Sequence, residues 1–198
     1  MESGYPASQR LNTEGMNMSH LPIWYLGELP PIMCDQVLSE FASEELKKAS
    51  MGFDGEHDDS AHRNTSVVFT EFDYWFAKVL ESHAFQSNKE CAWDYDINQR
   101  EAVQIAKYGP EQHYGWHVDV FPLAGKPVDR KVTVVCLLND PTEFEGGELQ
   151  LRLYQEYTAP LKKGTMIAFP SIIEHRVTPV TKGTRYSATL WTAGPRFK

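Results

Sequence analysis

From Ala92 to Trp191 the chain runs in short segments with a period of two, separated by Gly109-Pro110, Gly125-Lys126-Pro127, Gly146-Gly147, Gly164 and Gly183. Alternation of this kind sends successive side chains to opposite faces of an extended strand, which a helix cannot do. It predicts strands at 92–97, 101–108, 116–120, 130–138, 147–154, 157–162, 165–169, 173–180 and 184–192. So many short strands with regular turns close up as a jelly roll or barrel.

Ahead of them, a strand at Ile23–Leu29 and Pro30-Pro31 lead into a helix predicted over 33–49, with Val37, Leu38, Phe41 and Ala42 on one face. A short strand, Thr65–Thr70, precedes a second helix. Thr70 and Asp73 form a box-like N-cap for it, and Phe72, Trp75, Phe76, Val79, Leu80 and His83 fall at helical spacing. His83 on that stripe reads as a packed histidine rather than a ligand. The fold class is therefore mostly β with flanking helices.

A chain of 198 residues with 41% hydrophobic content can bury one core with elaborations. We expect a polar tail over 1–20 and one domain over 21–198, with helical and strand support at 21–100 and a β core at 101–195. A net charge of −8 argues against a nucleic-acid partner, which would need a basic surface to displace counterions. Cys34, Cys91 and Cys136 form no C-x-x-C and leave one over if paired, which suits free thiols in the cytoplasm. No apolar run is long enough for a membrane span, and the first twenty residues lack a signal-peptide pattern.

Two His-x-acid triplets stand out, His117-Val118-Asp119 and His57-Asp58-Asp59. Seven histidines and 27 acidic residues among 198 make one such coincidence expected by chance, so context must decide. Only the first triplet sits in strand context, where i and i+2 share a face and can reach one ion. The second, with His62, lies in the Gly52–Arg63 loop and reads as a solvated acidic turn. An imidazole and a carboxylate begin a site for Fe(II), Mn(II) or Zn(II), and His175 is the candidate third ligand.

Turn arithmetic offers a test of that set. A three-residue loop Thr181-Lys182-Gly183, with Gly183 left-handed, pairs Val180 with Thr184. His175 then lies opposite Thr189, on one face with Arg185, Ser187, Thr189 and Trp191, and roughly 13 Å from Arg185 at about 3.3 Å per residue. That gap suits a short dicarboxylate held between the metal and the planar guanidinium fork.

With these residues in view, the stretches AKYGPEQHYGWHVD, RKVTVVCLLND, EGGELQL and HRVTPVTKGTRYSATLW, over roughly 102–191, closely resemble the Fe(II)/2-oxoglutarate-dependent dioxygenases of the prolyl-4-hydroxylase-like branch. The resemblance implies a double-stranded β-helix core braced by the N-terminal helices. It makes His117, Asp119 and His175 the iron ligands and Arg185 the partner of the 2-oxoglutarate C5 carboxylate. Tyr108 matches a tyrosine lining the cosubstrate or substrate pocket, and Thr189 and Trp191 match pocket positions on the Arg185 strand. One position departs from the pattern: Leu137 stands where some prolyl hydroxylases carry a tyrosine that assists the cosubstrate.

The implied cofactors are Fe(II), 2-oxoglutarate and O₂, with ascorbate as an accessory reductant. The implied reaction is hydroxylation of an unactivated C–H, first of a prolyl residue in a peptide or protein, with succinate and CO₂ as coproducts. A hydroxylase of a free amino acid or small metabolite, a non-catalytic metal-binding jelly roll and a zinc hydrolase are the alternatives. The nucleic-acid demethylase branch usually places a second arginine six residues after the anchoring one, where this chain has Trp191. Substrate selection is expected to reside in the loops 52–63, 108–116 and 123–129, with Trp116 and His113 at the entrance.

Overall fold

The computed structural model describes residues 22–44, 46–49, 61–120 and 127–197. The tail 1–20, the segment 52–60 with His57, Asp58 and Asp59, and residues 123–126 lie outside the described residues. In chain order the elements are β1 (Tyr25–Glu28), α1 (Pro31–Glu40), β2 (Lys47–Lys48), β3 (Arg63–Asn64), β4 (Ser66–Phe69), α2 (Trp75–Glu90), β5 (Gln99–Arg100), β6 (Gln104–Tyr108), β7 (His113–His117), β8 (Val128–Leu137), β9 (Phe144–Gly146), β10 (Leu149–Arg152), β11 (Glu156–Thr158), β12 (Thr165–Pro170), β13 (Glu174–Val177), β14 (Val180–Gly183) and β15 (Arg185–Pro195).

The strands form a major sheet in the order β1-β12-β8-β15-β6-β4-β2, with β5 pairing β15, and a minor sheet β11-β10-β13-β7-β3. Period two in the sequence becomes two apolar layers. Val132, Val134 and Cys136 on β8, Ala188 and Leu190 on β15 and Ile105 on β6 pack against Phe76, Leu80 and Ala84 of α2 and Cys34 and Val37 of α1. Their neighbours Val135, Leu137, Ala106, Tyr108, Ile167 and Phe169 face Leu149, Leu151 and Val177 of the minor sheet. Two sheets closed over a shared layer, with helices outside, are the jelly roll that the alternation predicts. Among the described residues no helix is long and apolar enough to cross a membrane.

Several local expectations are corrected. The first helix ends at Glu40, and Lys47–Lys48 instead extend the sheet by pairing with β4, an edge contact overriding the helical propensity of the 42–49 stretch. The second helix starts at Trp75 and its N-cap, Tyr74, makes no side-chain cap. Thr70 is used by the sheet, donating its hydroxyl to Glu71 O and accepting the Val103 amide. Phe72 precedes the helix and is exposed. The stretch 92–97 is not a strand, because Ala92 and Asp94 adopt positive φ values of 51° and 53°.

The largest correction concerns the 173–192 hairpin, which does not form. β13 lies in the minor sheet, β14 pairs β9 in a separate two-stranded ribbon, and β15 crosses to the major sheet. Gly183 is left-handed as expected, with φ 73°, but for a different reason: a Cβ there would meet the Glu143 carbonyl oxygen at 2.0 Å.

His83 is packed in the core, as its place on the stripe indicates. Gly27 of β1 approaches it so closely that a Cβ would meet the imidazole Cε1 at 2.5 Å. Burial lowers the His83 pKa, although a hydrogen bond to the Tyr25 backbone opposes the shift, and Nε2 has no partner. A histidine kept neutral by folding contributes stability above its unfolded pKa of about 6.5 and loses it as the pH falls below that value. The urea midpoint is therefore expected to decline between pH 7.5 and 5.5, and the decline should be shallower in His83→Leu. Equal slopes would show that His83 is not the group responsible.

Candidate active site

The site is assembled on the minor sheet, where His175 of β13 pairs directly with His117, the last residue of β7. Between His175–His117 and the next pair, Val177–Tyr114, the register shifts, so β7 has one residue too many. Such a bulge re-aims side chains. It turns Tyr114 as well as His117 to the inner face, and their rings stack at 3.5 Å between centroids. Trp116 goes outward, between the guanidinium groups of Arg152 and Arg176 at 4.2 and 4.5 Å. The His113 ring nitrogens lie 3.1 and 3.0 Å from the carbonyl oxygens of Glu111 and Ala61.

Asp119 lies beyond the strand rather than on it, and Val118 is exposed instead of packed. The Asp119 amide donates to Ser171 O, and its carboxylate accepts from Thr133 Oγ1 at 2.7 Å. Thr133 belongs to the major sheet, so the carboxylate is held from across the inter-sheet space. His117 Nε2 stands 3.7 Å from Asp119 Oδ1, and His175 Nε2 stands 3.4 Å from Asp119 Oδ2. One ligand atom from each of the three residues lies within 4.8 Å of the others. Among the described residues no other group of three His, Cys, Asp or Glu side chains comes together in this way.

Both imidazoles are oriented for coordination. His117 Nδ1 lies 2.8 Å from Gly115 O and His175 Nδ1 lies 3.0 Å from Ile173 O, so each Nδ1–H donates to a carbonyl and Nε2 keeps its lone pair. Burial, reinforced by repulsion from His175, takes the His117 pKa down to about 3, which keeps the ring neutral. Burial pushes Asp119 up, but the two imidazoles, Arg130 and the Thr133 hydrogen bond outweigh it and hold the carboxyl below its usual range. Two imidazoles with one carboxylate suit a divalent first-row metal such as Fe(II) and leave coordination positions open.

Arg185 lies on the other sheet. Its Cα pairs with Tyr108, the Tyr108 ring lies 5.3 Å from its guanidinium, and Nη1 donates to Ser187 Oγ at 2.9 Å. Arg185 is 2% exposed, and its Nε has no hydrogen-bond partner among the described residues. Burial works against the charge and lowers its pKa. A buried guanidinium with an unused donor is a receptor for a carboxylate. Ser187, Thr189 and Trp191 alternate along the same strand, and Leu137, opposite Ser187, adds apolar surface where a tyrosine would add a hydroxyl. Trp191 lies under Arg130 at 4.0 Å, and Glu101 grips Arg130 through bonds of 2.6 and 2.7 Å.

The structure thus brings His117 and His175 of the minor sheet together with Asp119, just beyond the end of β7, and sets Arg185, Tyr108, Thr189 and Trp191 on the major sheet. It adds Thr133, Tyr114, Arg63 and Gln104, which the sequence reading passed over. Thr133 left a signal as the one polar residue in the run Val132–Leu138. His62 packs edge-on against Tyr114 and does not join the triad.

Comparison with known proteins agrees with this geometry. Residues 103–193 match the model of the 2OG-Fe(II) oxygenase superfamily. A PKHD-type hydroxylase of Picosynechococcus sp. is 42% identical over 119 residues, covering 58% of this chain and 53% of the relative. One from Janthinobacterium sp. is 38% identical over 90 residues, covering 43% of this chain and 40% of the relative. The chain thus spans about half or less of the length of these curated relatives. Among solved structures, a Pseudomonas putida prolyl-4-hydroxylase superposes with TM-score 0.66 at 20% identity, covering 89% of this chain and 94% of that one. A viral collagen prolyl hydroxylase from Paramecium Bursaria Chlorella virus-1 gives 0.67 at 22%, covering 87% and 96%. The segment that carries the triad and its arginine is a 2OG-Fe(II) oxygenase domain, and the chain around it has the prolyl-4-hydroxylase-like fold.

Proposed function

We propose that this protein is an Fe(II)- and 2-oxoglutarate-dependent hydroxylase acting on an unactivated C–H, with a prolyl residue of a peptide or protein as its substrate and succinate and CO₂ as coproducts. The observation that carries this reading is the placement of Arg185. A buried cation with an unused donor faces the same inter-sheet space as a His₂Asp set with ligand atoms within 4.8 Å.

In this reading His117 Nε2, His175 Nε2 and one Asp119 oxygen hold the iron, and Arg185 with Ser187 receives the distal carboxylate of the cosubstrate. The bound metal and 2-oxoglutarate together supply the oxidising power that turns O₂ on a C–H bond. The chain's own part is placement. Gly115 O and Ile173 O fix the imidazole tautomers, Thr133 fixes the carboxylate, and Leu137, Tyr108 and Phe169 keep the space between the sheets dry. Water excluded from such a site strengthens every polar contact within it. In the same reading Tyr108, Thr189 and Trp191 line the cosubstrate pocket.

The peptide substrate is supported by relatives. A structural neighbour from Trichoplax adhaerens, with TM-score 0.67, 20% identity and coverage of 86% of this chain, is a prolyl hydroxylase in complex with a fragment of a hypoxia inducible factor degradation domain. Cytoplasmic residence, which the three buried free thiols suit, belongs to the same proposal. The test is release of succinate from 2-oxoglutarate with Fe(II), O₂ and ascorbate, alongside mass spectrometry for a gain of one oxygen on proline-containing peptides. Succinate release supports the enzyme reading. No turnover with any peptide or metabolite would favour a binding protein, and activity with Zn(II) alone would favour a hydrolase.

A further inference from the structure

Arg185 and Arg63 both present unused donors to the space between the sheets, and a single cosubstrate answers only one of them. Arg63 sits on β3 with its Cα opposite Tyr114, so it shares the inner face that the bulge at Gly115 creates. Its guanidinium lies 4.6 Å over the Tyr114 ring, and that ring is stacked at 3.5 Å on His117. Nη2 reaches across to the major sheet and donates to Gln104 Oε1 at 3.1 Å. Gln104 is buried, and its Cα pairs with Thr189 on the strand of Arg185. The guanidinium therefore spans the two sheets on the wall beside the metal ligands.

Its donors are not used up by this arrangement. Nε is buried without a partner, and among the described residues no carboxylate forms an ion pair with Arg63. The contrast with Arg130 is informative, because there Glu101 takes both donors of the guanidinium edge. A half-buried arginine with an idle donor and no counterion is costly unless something supplies the missing acceptor. In the hydroxylase reading the proximal carboxylate of 2-oxoglutarate would go to the metal and the distal one to Arg185. The acceptor at Arg63 must then come with the other reactant.

Resting on the hydroxylase reading above, we propose that Arg63 is a specificity-determining residue that binds a carboxylate of the primary substrate, with Gln104 holding the guanidinium in place. Two sources share this chemistry, the free α-carboxylate of an amino acid or peptide end and an acidic side chain next to the target residue. The arginine fork is matched to either one bidentately and gains less from a neutral amide.

The test is equilibrium binding, which needs no turnover. Calorimetric titration under nitrogen of the protein loaded with Mn(II) and 2-oxoglutarate would compare N-acetyl-L-proline with N-acetyl-L-prolinamide, and acetyl-Pro-Glu-amide with acetyl-Pro-Gln-amide. We expect the wild type to prefer the acidic member of at least one pair by tenfold or more. A preference in the first pair identifies an α-carboxylate as the ligand, and one in the second pair identifies a side chain. Arg63→Gln should remove the preference, and Arg63→Lys, which keeps the charge, should retain part of it. No preference in the wild type, or a preference that survives in Arg63→Gln, overturns the proposal. So does a matching loss of 2-oxoglutarate affinity in Arg63→Gln, which would assign this arginine to the cosubstrate. The hydroxylase reading stands or falls separately, on succinate release by the wild type.

Discussion

Asp119→Ala is expected to reduce succinate formation by more than about 100-fold, since even indirect partners of metal ligands are worth roughly 10–100-fold. The residue supplies the only charge of the three-ligand set, and two neutral imidazoles alone hold Fe(II) poorly. The fold should barely respond. Thr133 Oγ1 loses its acceptor on Asp119 but keeps Ser171 Oγ at 3.0 Å, so no buried hydroxyl is stranded. The apo melting temperature should therefore stay within a few degrees of wild type by differential scanning calorimetry, while elemental analysis shows the metal content collapsing. Retained metal and retained turnover would remove Asp119 from the ligand set. A collapsed melting transition would mean that its role is structural.

Arg185→Met should separate stability from function. Arg185 is 2% exposed and has no carboxylate partner among the described residues, so the apo protein bears the desolvation of a charge without the Coulombic return. A methionine of similar length fills the same space without that cost, and replacement of buried charges by apolar residues can stabilise by about 1–4 kcal/mol. The apo variant is therefore expected to melt higher than the wild type. The 2-oxoglutarate requirement moves the other way. Loss of a bidentate charge-assisted contact, at about 1.5–3 kcal/mol per hydrogen bond, should raise its half-saturating concentration by roughly 100-fold or more. In the wild type Mn(II) plus 2-oxoglutarate should raise the melting temperature, and in the variant that rise should shrink. An unchanged cosubstrate requirement would show that Arg185 does not anchor it. A less stable apo variant would show that the charge is satisfied within the protein.

How much of this was legible can be judged residue by residue. Period two announced most of the strands after 101, because alternation is a local property of extended backbone, but not at 92–97, where positive φ at Ala92 and Asp94 breaks that backbone. His117, Asp119, His175 and Arg185 were singled out from residue type and resemblance, and the structure brings them to one space. A hairpin across Thr181-Lys182-Gly183 would set His175 and Arg185 on one face, whereas β13 and β15 lie in different sheets and the two side chains approach from opposite walls. Register arithmetic assumes that consecutive strands pair. In this fold the chain crosses between sheets at 178–184, because closing two sheets over a common apolar layer buries more surface than a lone hairpin can.

The residues that went unread show the same limit. Tyr114 and His117 are three apart, a spacing that alternation assigns to opposite faces, and only the bulge at Gly115 turns both inward. Thr133 was visible as a polar residue in an apolar run, but nothing in the chain says that Asp119 stands opposite it. Arg63 and Gln104 lie 41 positions apart and meet because β3, the edge strand of the minor sheet, and β6, an interior strand of the major sheet, face each other.

The short strands β2, β3, β5 and β9 were not legible in the sequence. What the sequence by itself determined was most of the longer strands, the alternation of their residues between two faces and the short list of groups able to bind a metal and an acid. These follow from backbone period and side-chain chemistry, which every residue carries with it. Which strand stands beside which, where a bulge interrupts the period and which buried charge lacks a partner were decided only by the tertiary structure. Those are properties of pairs of residues distant in the chain, and pairs exist only once the two sheets have closed on each other.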